Sequence, residues 1–127
     1  FVQSLKKQAF QNIEIVMCRT LRESDGLAMS SRNIRLSPEH RIASVKIYER
    51  LLSVKNHAQN RSILELKQWM SQEYLNDLDL RLDYFEISNP ESLARSVEWK
   101  SAKEHLACVA VYAGEVRLID NIRIQIN

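Results

Sequence analysis

The densest set of chemically useful side chains lies in residues 22–33, Arg-Glu-Ser-Asp-Gly-Leu-Ala-Met-Ser-Ser-Arg-Asn. Within it, Ser30, Ser31, Arg32 and Asn33 offer hydroxyl, guanidinium, amide and backbone N–H donors in one short run. That combination suits phosphate oxygens, with arginine as the charge-assisted, bidentate donor. The stretch has neither helical nor strand periodicity, and it contains Gly26, one of only two glycines in the chain. It therefore reads as a loop, the kind of segment through which a rigid scaffold presents functional groups. On composition alone a plain solvated connection explains the same residues, so the phosphate reading needs support from elsewhere.

The other reactive residue types are scattered. Cys18 and Cys108 have no CxxC spacing and no histidine neighbours, so they read as buried free thiols of a reducing compartment. His40, His57 and His105 are equally dispersed, which argues against a metal set, since ligands must cluster. The net charge of +2 hides an asymmetry: residues 1–61 hold 11 Lys/Arg against 5 Asp/Glu, residues 62–127 hold 7 against 11, so the halves carry +6 and −4. A basic half around the loop fits an anionic ligand. No basic cluster interleaved with aromatics supports nucleic-acid binding, and no apolar run reaches membrane-spanning length. At 127 residues with 45% apolar and 27% charged residues, the chain is one domain of ordinary globular composition.

The elements that must hold the loop follow from periodicity. Val2–Ala9 reads as a short helix and Ile13–Met17 as a strand apolar on both faces, as in parallel sheets. A lone helix and strand cannot build such a sheet, and the chain opens on Phe1, so residues 1–19 read as the edge of a larger α/β domain lying upstream. Ser37-Pro38-Glu39 starts a helix, with a serine N-cap, proline at the first position and an early acid. That helix is expected to run unbroken to about His57, with Ile42, Val45, Tyr48, Leu51, Leu52 and Val54 as its apolar stripe. Ser62 caps a second helix to about Asn76, whose inner face is Ile63, Leu66, Met70 and Tyr74, with Trp69 and Leu75 beside them. The period then changes to two: Leu80–Ser88 as a strand, Asn89-Pro90-Glu91 as a single turn, and Glu104–Tyr112 as a central strand. Ala113-Gly114 is the expected hairpin turn before a last strand. On that strand Val116, Leu118, Ile122, Ile124 and Ile126 share a face, which Asp120 interrupts. Two accounts of Asp120 stand: a bulge or buried carboxylate bonded to backbone amides, or a role in positioning an active-site lid. The fold class is α+β, two main helices followed by a three-stranded antiparallel sheet.

Residues 22–33 followed by Leu36-Ser37-Pro38-Glu39 resemble the signature of the pantothenate synthetase (pantoate–β-alanine ligase) family. Asp83-Tyr84-Phe85-Glu86-Ile87 and Arg117-Leu118-Ile119-Asp120-Asn121-Ile122 resemble an earlier and the closing strand of the same domain, in the family's order. Arg19 and Leu21 stand where the family usually has proline and valine.

The resemblance implies an enzyme similar to class I aminoacyl-tRNA synthetases and other nucleotidyl transferases. It would activate pantoate with Mg²⁺-bound ATP to a pantoyl-adenylate and then pass the acyl group to β-alanine. Met29-Ser30-Ser31-Arg32 matches the superfamily's KMSKS-type loop, with Arg32 as the cation that stabilises charge on the leaving pyrophosphate. Leu21, Met29, Ser30, Ser31 and Arg32 are the expected ATP contacts, Leu21 through its main chain at the adenine edge. No prosthetic group and no protein-bound metal are implied. The HIGH-type motif has no match here, so the resemblance places residues 1–19 at the end of a Rossmann-like nucleotide domain, 20–36 as loop and hinge, and 37–127 as the C-terminal lid. Such a lid alone is expected to be inactive, and the full-length protein to be a cytoplasmic homodimer. A non-catalytic interaction module derived from such a lid is the competing reading, and an RNA-binding appendage ranks last.

Overall fold

The computed structural model describes residue 16, residues 18–99 and residues 103–126. The helix expected at Val2–Ala9 and most of the strand expected at Ile13–Met17 lie outside the described residues. From the loop onward the order is a 3₁₀ turn at Ser31–Arg35, α1 at Pro38–Ala43, α2 at Val45–His57, α3 at Ile63–Leu75, β1 at Leu80–Ser88, β2 at Glu104–Ala113 and β3 at Val116–Gln125. The strands form one antiparallel sheet in the order β1-β2-β3. The α+β expectation holds.

The helix expected to run from Pro38 to His57 is broken at Ser44. Its hydroxyl donates to the His40 carbonyl at 2.6 Å, a back-bond to the preceding turn that bends helices. The stripe facing the sheet is Ala43, Ile47, Leu51 and Val54, at helical spacing across the break, while Val45, Tyr48 and Leu52 flank it half-buried and Ile42 is 75% exposed. The phase of the stripe thus differs from the expected one: Ile42 leaves the core and Ile47 enters it.

α3 starts at Ser62 as expected, with a complete capping box. The Ser62 hydroxyl accepts from the Glu65 N–H at 3.2 Å, and Glu65 Oε2 accepts from the Ser62 N–H at 2.7 Å. The Ser62 hydroxyl also holds the Glu65 carboxyl below its ordinary pKa. Ser62→Ala removes one of these bonds and is expected to lower unfolding stability by about 1 kcal/mol, read as a shift in the urea midpoint. Ile63, Leu66, Met70 and Tyr74 are buried as expected, whereas Leu75 is 77% exposed on the opposite face.

β1 carries an extra residue. Leu82 faces Val111 and Tyr84 faces Ala110, leaving Asp83 unpaired as a bulge. The bulge flips the inward phase, so Leu80 and Leu82 point to the helices before it and Phe85 and Ile87 after it. The β2–β3 turn is Gly114-Glu115, one residue later than expected, with Gly114 at φ +58° and Ala113 paired to Val116. A Cβ at Gly114 would lie 2.9 Å from His40 Cε1, so glycine is required for contact as well as conformation. α2 packs over β3 and α3 over β1, enclosing Ile47, Leu51, Leu66, Met70, Ile87, Val109, Val111 and Ile124.

His105 also lies in the core, fully buried. Its Nε2 donates to the Trp99 carbonyl at 3.0 Å and its Nδ1 pairs with the Ser96 hydroxyl at 3.0 Å. Where α3 meets β1, Asp77 Oδ1 caps the amides of Asp79 and Leu80, while Oδ2 takes Arg50 at 2.6 Å and Lys46 at 3.3 Å. Burial pushes its pKa up, but the Arg50 bond and the Asp79 amide prevail and hold it below the ordinary 3.8. A carboxylate with a depressed native pKa contributes its full stabilisation above 3.8 and loses it as the pH falls through the native value. The urea midpoint is therefore expected to drop as the pH is lowered below 3.8, and Asp77→Asn to flatten that drop.

Candidate functional site

Residues 20–36 lie against α1, α2 and β3, and the segment divides into a fastened root and an open tip. At the root, Arg22 and Ala28 face each other in an antiparallel bridge. The Glu23 N–H donates to the Leu27 carbonyl at 2.8 Å and the Met29 N–H to the Leu21 carbonyl at 2.9 Å. Gly26 turns the chain at φ +94°, and a Cβ there would meet Tyr48 Cδ1 at 2.8 Å. Both the conformation and the contact demand glycine. Leu27 is buried, and Arg41 pairs with Asp25 at 2.7 Å, holding that carboxyl below its ordinary pKa.

The strongest fastening comes from Arg22. Its guanidinium grips Asp120 with two bonds, Nη1 to Oδ2 at 2.7 Å and Nη2 to Oδ1 at 3.0 Å. It also donates to the carbonyls of Gly26 and Asn121, and it lies 3.6 Å above the Tyr48 ring. Asp120 Oδ1 additionally accepts the N–H of Asn121 at 2.7 Å. β3 alternates without a bulge, with Asp120 on its inner face and a side chain only 3% exposed. Of the two accounts of Asp120, the bulge is excluded. The carboxylate bonds a backbone amide and, chiefly, the loop.

The tip is Ser30–Arg35, and its 3₁₀ turn buries no residue. The run expected to lack regular structure is thus partly helical. Ser30 caps the turn, its Oγ accepting from the Arg32 N–H at 3.2 Å and its carbonyl from the Asn33 N–H at 3.0 Å. The Ser30 hydroxyl hydrogen is still available to a ligand. Asn33 Nδ2 donates to the Ala28 carbonyl at 3.0 Å, tying tip to root, while its buried Oδ1 has no partner among the described residues. Leu21, Met29, Ser31 and Arg32 are exposed. Arg32 has no acidic partner in ion-pair range among the described residues, whereas the nearby Arg22 and Arg41 are both paired.

A groove of about 270 Å³ separates this tip from β3, with Met29, Ser30 and Arg32 on one side and Ile119 and Asn121 on the other. Ligand pockets usually enclose about 300–1,000 Å³, so the groove can cradle part of a nucleotide but not surround one. A larger depression of about 520 Å³ lies between Tyr74–Leu82 and Tyr112. Its Asp77 is already committed to Arg50 and Lys46, and burial pushes the Tyr74 phenol up to about 12. Of the expected ligands, Met29, Ser30 and Arg32 line the groove against β3; Leu21 and Ser31 are exposed beside it without lining it, Leu21 joined to Met29 by a hydrogen bond. The sequence places Arg22 in the loop stretch but does not show its pairing with Asp120 or the Tyr48 ring against it, although an acid on the apolar face of β3 signals a buried cationic partner.

The thiols take no part. Cys18 is exposed, against expectation, and Cys108 is half-buried, with its pKa raised by burial and then by the Asp120 charge. No described helix is long and apolar enough to cross a membrane.

Comparison with known proteins gives a consistent result. The family model described as pantoate-beta-alanine ligase matches residues 1–123. The pantothenate synthetase of Phocaeicola vulgatus is 36% identical over 121 residues, covering 95% of this chain and 43% of that protein. That of Porphyromonas gingivalis is 40% identical over 112 residues, covering 87% and 40%. The crystal structure of pantothenate synthetase from Thermus thermophilus superposes with a TM-score of 0.85 at 34% identity, covering 95% of this chain and 44% of that one. The chain thus spans somewhat under half the length of the relatives it matches.

Proposed function

The chain belongs to the pantoate-beta-alanine ligase family, and from that membership we propose that it is the C-terminal lid of an ATP-dependent ligase. The complete enzyme joins pantoate to the β-alanine amine through a pantoyl-adenylate. In the first step the pantoate carboxylate attacks the α-phosphorus of ATP and pyrophosphate leaves. In the second the amine attacks the acyl carbon and AMP leaves, giving pantothenate.

The observation that carries this reading is the exposed Arg32 guanidinium, without an acidic partner among the described residues, beside Ser30 and Ser31 on a tip whose root is fastened to β3. Negative charge grows on the departing pyrophosphate, and a cation with hydroxyl donors aimed there lowers the barrier without proton transfer. Leu21, beside Met29 on the same surface, meets the adenine edge through its main chain; its carbonyl keeps one lone pair after taking the Met29 N–H. Mg²⁺ arrives as the ATP complex, as substrate. Residues 1–19 belong to the nucleotide-binding domain, 20–36 to the KMSKS-like loop and hinge, and 37–127 to the lid. The small groove supports this division, because a cavity of about 270 Å³ cannot surround a nucleotide and needs a second wall. The full-length protein is a cytoplasmic homodimer, and ATP, pantoate and β-alanine are its partners.

The test is pantothenate formation from pantoate, β-alanine and MgATP, with this chain alone and with the full-length protein. Turnover only in the longer protein is expected. Turnover in neither overturns the ligase reading and favours an interaction module.

A further inference from the structure

We propose that Arg22 and Asp120 are positioning residues, an ion pair that locks the root of the loop onto β3 and thereby sets where Ser30–Arg32 stand. The inference rests on the phosphate-binding reading of that tip.

Burying a carboxylate is costly, and well-packed apolar residues in place of a buried ion pair are often neutral or stabilising. The inner face of β3 is otherwise Val116, Leu118, Ile122 and Ile124, so another aliphatic residue at 120 would continue it. Stability does not explain Asp120. Its geometry does. The carboxylate takes both Nη atoms of Arg22, and the same guanidinium reaches the Gly26 carbonyl at the turn of the loop. Tyr48 of α2 supports the guanidinium plane from below, and Gly26 packs on the same ring. The arginine is thus held in one orientation by a strand, a helix and the loop's own turn. A lysine offers no planar fork to meet all of these at once. Arg22 sits opposite Ala28 in the bridge that Met29 closes, and Ser30 is the next residue. An error in the orientation of Arg22 therefore passes to the tip with little chain to absorb it, and about 1 Å of misplacement in a reacting assembly costs about a hundredfold in rate.

Asp120→Asn and Arg22→Lys, made singly and together in the full-length protein, test the lock by two readouts. The first is amide exchange at Glu23 and Met29, whose bonds close the bridge. Both variants should speed it by about ten- to a hundredfold, the factor carried by one charge-assisted hydrogen bond to a local opening. The second is pyrophosphate release. The expected result is a fall in kcat of about ten- to a hundredfold with a smaller change in KM for ATP, and a double variant no worse than either single one. Unchanged exchange at both amides overturns the lock, whatever the rates do. Faster exchange with wild-type kcat, while Arg32→Ala is crippled, overturns its positioning role. Faster exchange with both Asp120→Asn and Arg32→Ala fully active shows instead that the phosphate reading of the tip has failed, and this proposal falls with it. The substitutions are chosen to keep shape and, for lysine, charge; Asp120→Ala would leave Arg22 unpaired against the core and confound local with global unfolding.

Discussion

On the proposed function, Arg32→Ala in the full-length protein is expected to lower kcat for pantothenate formation by about a hundredfold or more, with a smaller change in KM for ATP. The size follows from the role. A donor that meets charge developing in the transition state is worth about 2.7–4 kcal/mol, or two to three powers of ten in rate. The split between kcat and KM follows from when the charge appears, because a contact strongest in the transition state leaves ground-state affinity less affected. Arg35, also exposed and at the end of the same 3₁₀ turn, is the internal control. If general positive charge is what matters, Arg35→Ala should cost as much as Arg32→Ala. If Arg32 acts on the leaving group, Arg35→Ala should leave kcat within a few-fold of wild type, on the scale of a screened surface charge. Wild-type kcat in Arg32→Ala would remove the catalytic assignment. Lysine at position 32 should recover part of the loss, since it restores the charge but not the fork.

Leu51→Ala carries the largest expected effect on folding, about 2–5 kcal/mol, measured from the urea midpoint of unfolding. Leu51 is completely buried in the middle of the α2 stripe, where that helix packs over β3. Truncation removes the isopropyl end of a fully buried side chain, and a close-packed core relaxes only partly into the space left. The matching control is Ile42→Ala. Ile42 belongs to the apolar stripe that periodicity suggests, yet in the structure it is 75% exposed, and its truncation should change stability by no more than about 0.5 kcal/mol. Equal costs at the two positions would mean that Ile42 lies in the core, on the stripe expected from the sequence.

That contrast shows where local reading ends. Ser37-Pro38 and Ser62 declare the helix starts because a cap is a bond between neighbours in sequence. The strands from Leu80 and Glu104 declare themselves by alternation, and β2 by being apolar on both faces. The bulge at Asp83 is hidden because it shifts the phase of a pattern without altering the residue types that make it, and the interruption at Ser44 because a serine that bonds back one turn is the same residue type as one that does not. Cys18 misleads for a related reason: thiol chemistry says nothing about which side of a chain segment meets solvent.

The sequence by itself determined the α+β order of elements, from residue types at short spacing, and it offered Met29–Arg32 as the candidate ligand-binding tip through the family resemblance of that run. Tertiary structure alone decided what holds the tip in place. Arg22 and Asp120 are 98 residues apart, and the acid on the apolar face of β3 announces only that it needs a partner. Which cation answers, and that Tyr48 and Gly26 complete the grip, depends on how α2, β3 and the loop pack. The reason is physical: a buried ion pair satisfies a desolvation cost that belongs to the folded molecule, and no local stretch of chain contains both halves of it.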